Sequence, residues 1–518
     1  MPGHVISVRS QLTDPNVRVT RVGRHHQRGC FLGVISNLTG IARYCCFDDG
    51  IENANTAILE RVFYHAEGDG FARPFIPDMA VVSNVLNGFR QAFSRRVACT
   101  VPVDFRVYPE ENYRGRKLRI YQKARDNVIA RTYDENKFGR LKTFIKHEKI
   151  LEKPKRLVPR VIQPRSPEFN VCVGRYIRQL EHRIYAIVDE LWGGPTVMKG
   201  LNCVQQGAAI ASAWATFSDP VALMLDAVRF DQHVSVPMLS WEHSIYLEFF
   251  PRCYRPELEW LLSLQLFNQG TVRCHDGTLT YKVEGCRASG DMNTAMGNVL
   301  IMCACVYAMV QGLRCKARLI NNGDDCCLIL ERADVRRVRD EIPSFFRELG
   351  FIIDVQGSTD ILERVRFCQT SPVYNGKGWV MVRDPNTAIS KDVTILRRWS
   401  MKEYAVYLRE LGIAGLAAYG DMPVYSSFYR CLSRSKLHGK VSSGLVAHVR
   451  SPILDSGLGR LSQGLSNLGG DVTDASRTSF AVAFGITPVV QRCIEAYYDA
   501  CDPGDGAVHA GHPRSYQF

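Results

Sequence analysis

The sequence predicts a mixed α/β (α+β) fold on three observations: a short apolar run at 221–225 that ends on Asp226, an apolar stretch following the small-residue loop at 289–291, and apolar segments on both sides of Asn321-Asn322-Gly323-Asp324-Asp325. These read as a strand entering the core, a buried helix, and a hairpin closed by a tight turn. Ahead of them, Val173, Ile177, Leu180, Ile184 and Ile187 fall near helical spacing, which predicts an amphipathic helix over 169–189. The order is helix, strand, helix, hairpin.

The remaining elements follow along the chain. Residues 1–104 mix short apolar runs with loop residues, and the basic strip at 90–96 reads as a solvated helix end. From 113 to 165 basic residues become dense, and Pro154 and Pro159 preclude a long helix in the second half, so this region is expected to be an extended or looped basic finger. After Cys368, Asn375-Gly376 between apolar pairs is a strong hairpin signal. Helical patterns dominate 399–432, and a Gly- and Ser-rich stretch at 462–476 predicts a mobile loop. The end, 501–518, carries too little apolar content to pack tightly and is expected to fray.

Composition narrows the function classes. Lys and Arg total 65 against 52 acidic residues, a formal charge of +13 with pI near 9.0, which favours a polyanionic partner. The 18 cysteines are scattered among apolar neighbours, so reduced thiols are expected rather than a disulfide framework. His25-His26 beside Cys30 lacks zinc-site spacing, and no internal repeat predicts a solenoid. The N-terminus lacks the apolar core of a signal peptide, and the apolar run 299–310 is too short to span a bilayer, so no transmembrane segment is expected.

Four constellations carry chemistry. Asp324 and Asp325 at a loop tip repel one another, and a divalent cation is the natural remedy. Alone, a Gly-Asp-Asp run is ordinary turn chemistry. Asp226 at a strand end supplies a third carboxylate, and three converging carboxylates suffice for the two metals of nucleotidyl transfer, Mg2+ with Mn2+ as substitute. Asp231, five residues on, is placed to accept a hydrogen bond from a ribose 2′ hydroxyl. Thr294 and Asn298 share a helical face behind Ser289 and Gly290, where short polar groups reach a ribose and glycine lets backbone approach template. Lys146, Lys149, Lys155, Arg156, Arg160 and Arg165 suit triphosphate and template charge. Each of these alone also fits a cap or a solvated loop.

In this order the elements resemble motifs F, A, B and C of the right-hand viral RNA-dependent RNA polymerases. KPKRLVPRVIQPRSPEFNVCVGRYIRQLEHRIY, DAVRFDQHVS, GCRASGDMNTAMGNVLIM, NNGDDCCLI and RFCQTSPV are similar to polymerases of tombusvirus-like positive-strand RNA plant viruses, including carmovirus and umbravirus relatives. The resemblance implies fingers, palm and thumb: an N-terminal extension and fingers at 1–216, a palm on an antiparallel sheet flanked by helices at 217–375 with a fingers insertion at about 236–284, a thumb at 376–500, and a flexible tail at 501–518. It implies Asp226, Asp324 and Asp325 as metal ligands, Asp231 and Asn298 as ribose readers, Arg160 over the nucleotide, and Ser289, Gly290 and Thr294 as the motif B loop. Residues 366–369 resemble motif E, with Cys368 packed rather than reactive.

Two departures stand out. Relatives place a lysine shortly after the Leu-Gly-Phe at 349–351 as general acid for pyrophosphate, whereas this chain has Asp354 and leaves that acid unassigned. Val228 stands where relatives often have serine, a change expected to be tolerated. The resemblance further implies an RNA template, nascent RNA and ribonucleoside triphosphates as partners, and a viral membrane-anchored replication protein. It also implies a place in the host cytoplasm at a membrane-associated replication complex. Met1 is left open as the natural start, since relatives are often made by readthrough or frameshifting. The competing expectations are a non-catalytic RNA-binding replication factor and a reverse transcriptase. Asp231 with Asn298 argues for ribonucleotides.

Overall fold

Alternate residues of one strand face two different hydrophobic cores. In Pro220–Ala227, Leu223, Leu225 and Ala227 pack into one core and Ala222 into another, and Leu319, Leu328 and Leu330 divide from Ile320, Cys327 and Ile329 in the same way. A strand buried on both faces must be apolar at nearly every position, which is why these segments read as runs rather than alternations. They belong to an antiparallel sheet of four strands in the order Ala317–Asn321, Asp325–Glu331, Pro220–Ala227, Ile353–Thr359. The chain is mixed α/β as expected.

The computed structural model describes residues 4–22, 30–35, 38, 40–153, 156–437, 440–466, 469–504, 508–510 and 513–515. His25, His26, Pro154, Lys155, residues 467 and 468 of the Gly- and Ser-rich stretch, and parts of the tail lie outside them. On one side the sheet is covered by the helices Thr294–Leu313 and Arg332–Glu348. On the other lie the helix Cys203–Trp214, the hairpin of Thr370–Tyr374 and Trp379–Arg383, and the helices Met401–Tyr419 and Tyr425–Ser433. The hairpin turns at Asn375-Gly376, where Gly376 takes a φ of 93° and Asn375 Oδ1 accepts from the backbone N–H groups of Lys377 and Gly378.

Thr294–Leu313 buries every residue from 296 to 306. Each fully buried Val, Leu, Ile or Met there contributes roughly 1.5–3 kcal/mol. The helix is longer than the apolar run in its sequence and is long and apolar enough to cross a membrane, yet 72% of its most apolar window is buried inside the protein. Core packing thus accounts for its composition.

A second sheet, of five strands, runs in the order Val17–Arg21, Gly277–Glu284, Phe267–Cys274, Leu141–Ile145, Val161–Ile162. Its inner residues Leu141, Val272, Leu279 and Tyr281 pack with the helix Ile51–Ile58 in a third core. Among the described residues its other face is uncovered.

The structure departs from the sequence expectation in three places. Residues 169–189 form two helices, Pro167–Ile177 and Leu180–Leu191, and at the break the Gln179 side chain donates to the carbonyls of Val101 and Arg175 at 2.8 and 3.1 Å. The first half of the basic finger is the helix Gly115–Ile129, whose Ala124 packs beside Val171, while the second half is extended. In the segment read as a loose tail, Val508–Ala510 pairs with Gly33–Ile35, and Pro513–Ser515 pairs with His4–Ser7. Backbone pairing of this kind asks little of side-chain hydrophobicity.

Candidate active site

The register of the four-stranded sheet brings the acidic residues together. Asp226 lies directly opposite Asp325 on one neighbouring strand and opposite Asp354 on the other. Opposed residues of antiparallel strands have Cα atoms about 4.5–5.5 Å apart, so carboxylates nearly a hundred residues apart become neighbours. The turn holding Asp324 is fixed by Asn321, whose Oδ1 accepts from the Gly323 N–H at 2.9 Å and whose Nδ2 donates to the Gly323 carbonyl at 2.7 Å. Gly323 needs its φ of 97°, a region that only glycine enters without strain. The Asn322 N–H closes the turn on the Asp325 carbonyl at 2.9 Å.

Burial raises Asp325 to about 6, with Asp324 and Asp226 adding to the shift. Burial likewise raises Asp226, reinforced by Asp324 and Asp354 and opposed by the Gln356 hydrogen bond and by Lys153. These carboxylates therefore repel one another at the end of the sheet, the condition a cation relieves. Among the described residues no three His, Cys, Asp or Glu side chains already converge on one point. Asp226 Oδ2 instead accepts from Gln356 Nε2 at 2.8 Å, and Asp325 Oδ2 accepts from the Cys368 thiol at 3.6 Å. The donor set is oxygen-rich and anionic, the chemistry that suits a hard divalent cation such as Mg2+ or Mn2+.

The two residues expected to read a ribose contact each other: Asn298 Nδ2 donates to Asp231 Oδ1 at 2.8 Å. Arg229, left-handed at φ 49°, makes the bend that carries the chain from Asp226 to Asp231. Behind Asn298 lies a buried network that its sequence does not announce. Arg287 Nε donates to Asn298 Oδ1 at 3.2 Å, Arg287 also pairs with Glu242, and Asn293 Nδ2 donates to Glu242 at 3.0 Å. Arg287 and Glu242 are 1% and 0% exposed, so each is compensated by the other and by this network, to which the Tyr246 hydroxyl adds a hydrogen bond donated to Glu242. Gly297 sits against both, and a Cβ there would lie 2.6 Å from the Arg287 guanidinium. The spacing of Glu242 from Arg287 gave no signal for this pairing, because the partners come from different elements.

The motif B loop is anchored rather than free. Thr294 Oγ1 donates to the Ala288 carbonyl at 2.8 Å, and Gln163 and Ser289 exchange hydrogen bonds at 2.8 and 3.2 Å. Gly290 passes so close to Gln163 and Pro164 that a Cβ would lie 2.9 Å from their backbone. Lys199, absent from the sequence expectations, donates to the carbonyl and side chain of Asn322 at 3.1 and 3.0 Å and so braces the acidic turn.

The basic residues divide. Arg160 and Lys146 share Glu148 while remaining partly exposed. Arg156 pairs with Glu60 at 2.9 Å. Lys149 donates to the Lys391 carbonyl at 2.6 Å, and burial lowers its ammonium to about 8. Arg165, expected to face RNA, has no exposed side chain and clamps Asp291 at 2.6 and 3.0 Å and Asn268 at 2.6 Å. Its distance from solvent makes it a brace of the loop, a role its position in a basic run conceals. Lys155 lies outside the described residues. At the motif E segment, Cys368 accepts from Asn322 Nδ2 at 3.1 Å, and burial beside Asp325 raises its thiol to about 12, which leaves it protonated.

A family model described as viral RNA dependent RNA polymerase matches residues 19–503. The chain is 40% identical over 454 residues to the RNA-directed RNA polymerase of Turnip crinkle virus, covering 87% of this chain and 57% of that protein. It is 38% identical over 500 residues to that of Tobacco necrosis virus (strain A), covering 96% and 67%, and 38% identical over 473 residues to that of Melon necrotic spot virus, covering 90% and 58%. The chain thus spans roughly three-fifths of the length of such relatives. Across nearly its whole extent, acidic turn and opposing strand included, the chain belongs to the viral RNA-dependent RNA polymerase family.

Proposed function

We propose that the chain is the RNA-directed RNA polymerase of a tombusvirus-like positive-strand RNA virus, joining ribonucleoside triphosphates on an RNA template. The observation that carries the reading is the register that sets Asp226 opposite Asp325 beside the Gly323-Asp324 turn. Two divalent cations, when bound there, activate the primer 3′ hydroxyl and neutralise the triphosphate. Asp226, Asp324 and Asp325 hold them. Asp231 and Asn298 orient the ribose through its 2′ hydroxyl, and Arg287 fixes which way the Asn298 amide points. Lys146 and Arg160 move from Glu148 to the triphosphate. The Asp231–Asn298 pair favours ribonucleotides over the deoxyribonucleotides of a reverse transcriptase.

The four-stranded sheet and its helices, 217–375, serve as palm, residues 1–216 with an insertion at about 236–284 as fingers, and residues 376–500 as thumb. Support comes from the core shared by the sheet and the helices beyond residue 400, in which Ile320 and Cys327, on the strands flanking the acidic turn, are buried. Attachment to a host membrane in the cytoplasm is assigned to a viral membrane-anchored partner. The test is incorporation of labelled ribonucleotides by the purified chain with Mg2+ or Mn2+. Synthesis that depends on added RNA template and is lost in Asp324→Ala supports the proposal. RNA binding without synthesis would favour a non-catalytic replication factor.

A further inference from the structure

We infer that the uncovered face of the five-stranded sheet docks unpaired RNA and leads it toward Lys146 and Arg160. Leu141–Ile145, Phe267–Cys274 and Gly277–Glu284 alternate buried and exposed residues, so one face packs on the core and the other meets water. On the outer face stand Lys142, Phe144, Arg273 and Lys282, joined on the end strand by Arg18. The register arranges them in rows: Lys142 beside Thr271, Thr271 opposite Thr280, and Thr280 opposite Arg18. Arg273 lies opposite Thr278, and Lys282 opposite Gln269. With strands about 4.8 Å apart, the row from Lys142 to Arg18 spans roughly 14 Å.

Among the described residues, Arg18, Lys142, Arg273 and Lys282 make no ion pair and no side-chain hydrogen bond. The acid among the outward strand residues of the central pair is Glu284, at the far end opposite Phe267. A solvated sheet face ordinarily mixes signs, because like charges on neighbouring strands repel. Four uncompensated cations with threonines between them are complementary to a chain of phosphates. Phe144 and Phe267, 47% and 64% exposed, add flat apolar rings to the same face. Bases stack on such rings only when they are unpaired, which selects a single strand over a duplex.

The face is continuous with the proposed nucleotide site. Alternation carries Lys142 and Phe144 on to Lys146, whose backbone N–H donates to the Arg160 carbonyl at 2.8 Å, and Ile162 lies opposite Phe144. The direction of the track rests on the polymerase reading, whereas docking itself requires no turnover.

The experiment measures anisotropy of labelled unpaired oligoribonucleotides, one long and one only a few nucleotides in length, on the full chain across a salt series. Lys142→Gln, Arg273→Gln and Lys282→Gln are combined, and Phe144→Ala is made separately. The triple variant is expected to bind the long strand about tenfold more weakly, with the log–log salt slope reduced by about 2, and to bind the short one unchanged. Phe144→Ala is expected to weaken the long strand without altering the slope. Unchanged affinity and slope in both variants would overturn the inference and leave the face to an acidic protein. An equal loss for a blunt RNA duplex would overturn the selection of unpaired strands. A chain that binds in this pattern yet incorporates no nucleotide sinks the polymerase reading alone, and normal synthesis with unaltered long-strand binding in the variants sinks the docking surface alone.

Discussion

The four-stranded sheet is buried on both faces and reaches water at the end bearing Asp226, Asp324 and Asp325, whereas among the described residues the five-stranded sheet is buried on one face and bare on the other. The first concentrates negative charge at one strand end, and the second spreads positive charge over an open surface. Carboxylates gathered at one point raise one another's proton affinity and call for a cation. Charge on an open face works collectively, through many weak and salt-sensitive contacts. Each acidic residue at the sheet end should therefore matter singly, while the basic residues should matter by their sum.

The largest effect that could break this contrast is at the acidic end. Asp226→Ala is expected to lower nucleotide incorporation by about 1,000-fold or more while changing RNA affinity little, read from incorporation and anisotropy on one preparation. Next comes the buried network joining the acidic end to the helix Thr294–Leu313. Glu242→Ala strands Arg287 in the interior and is expected to cost about 3–5 kcal/mol in denaturant unfolding. By comparison, Asp219→Ala removes a partner of Arg332 on the surface, where both side chains are more than half exposed, and should leave the denaturant midpoint almost unchanged.

A smaller effect tests sugar recognition. Asp231→Ala or Asn298→Ala should lower ribo- over deoxyribonucleotide preference by about 10-fold or more, since one buried hydrogen bond is worth about 1–3 kcal/mol, while template affinity stays the same. Equal losses for both sugars would remove the role. The pH dependence is subtler. Asp325 and Asp231 are each raised to about 6, so between the unfolded carboxylate value of about 4 and that point the folded chain holds more protons. Stability without metal therefore falls as pH rises through this window. Asp325→Asn should melt above the wild type at neutral pH without metal, the gap closing below about pH 4, and Mg2+ should stabilise the wild type more at neutral pH than at pH 5. The smallest effect is on the bare face, where Lys282→Gln alone should lessen the salt slope by about 0.7 and leave the melting temperature unchanged.

The two sheets also differ in how far they could be read from the sequence. Continuous apolar runs around Asp226 and around Gly323 announced the buried strands and the turn, and the apolar run ahead of 310 announced the long helix. Three carboxylates were legible because each stands at the end of such a run. Arg287 and Glu242 were not, because a buried ion pair between distant elements leaves no periodic trace in either. Arg165 was read as an RNA contact for the opposite reason: a run of basic residues does not reveal which member turns inward, and Asp291 lies 126 positions away. Lys199 escaped notice because its partners are the backbone carbonyl and the side-chain Oδ1 of Asn322 rather than a charged side chain within reach in sequence. The break at residues 178–179 coincides with a hydrogen bond from Gln179 to the distant Val101 carbonyl, which no local pattern encodes.

The most direct test of the acidic end is a manganese titration of the chain bound to RNA and a non-hydrolysable ribonucleotide, followed by electron paramagnetic resonance. Two ions should bind the wild type, and the Asp226→Asn, Asp324→Asn, Asp325→Asn triple variant should lose both while still holding RNA. The same stoichiometry and affinity in that variant would contradict the assignment of these carboxylates as the metal-binding centre.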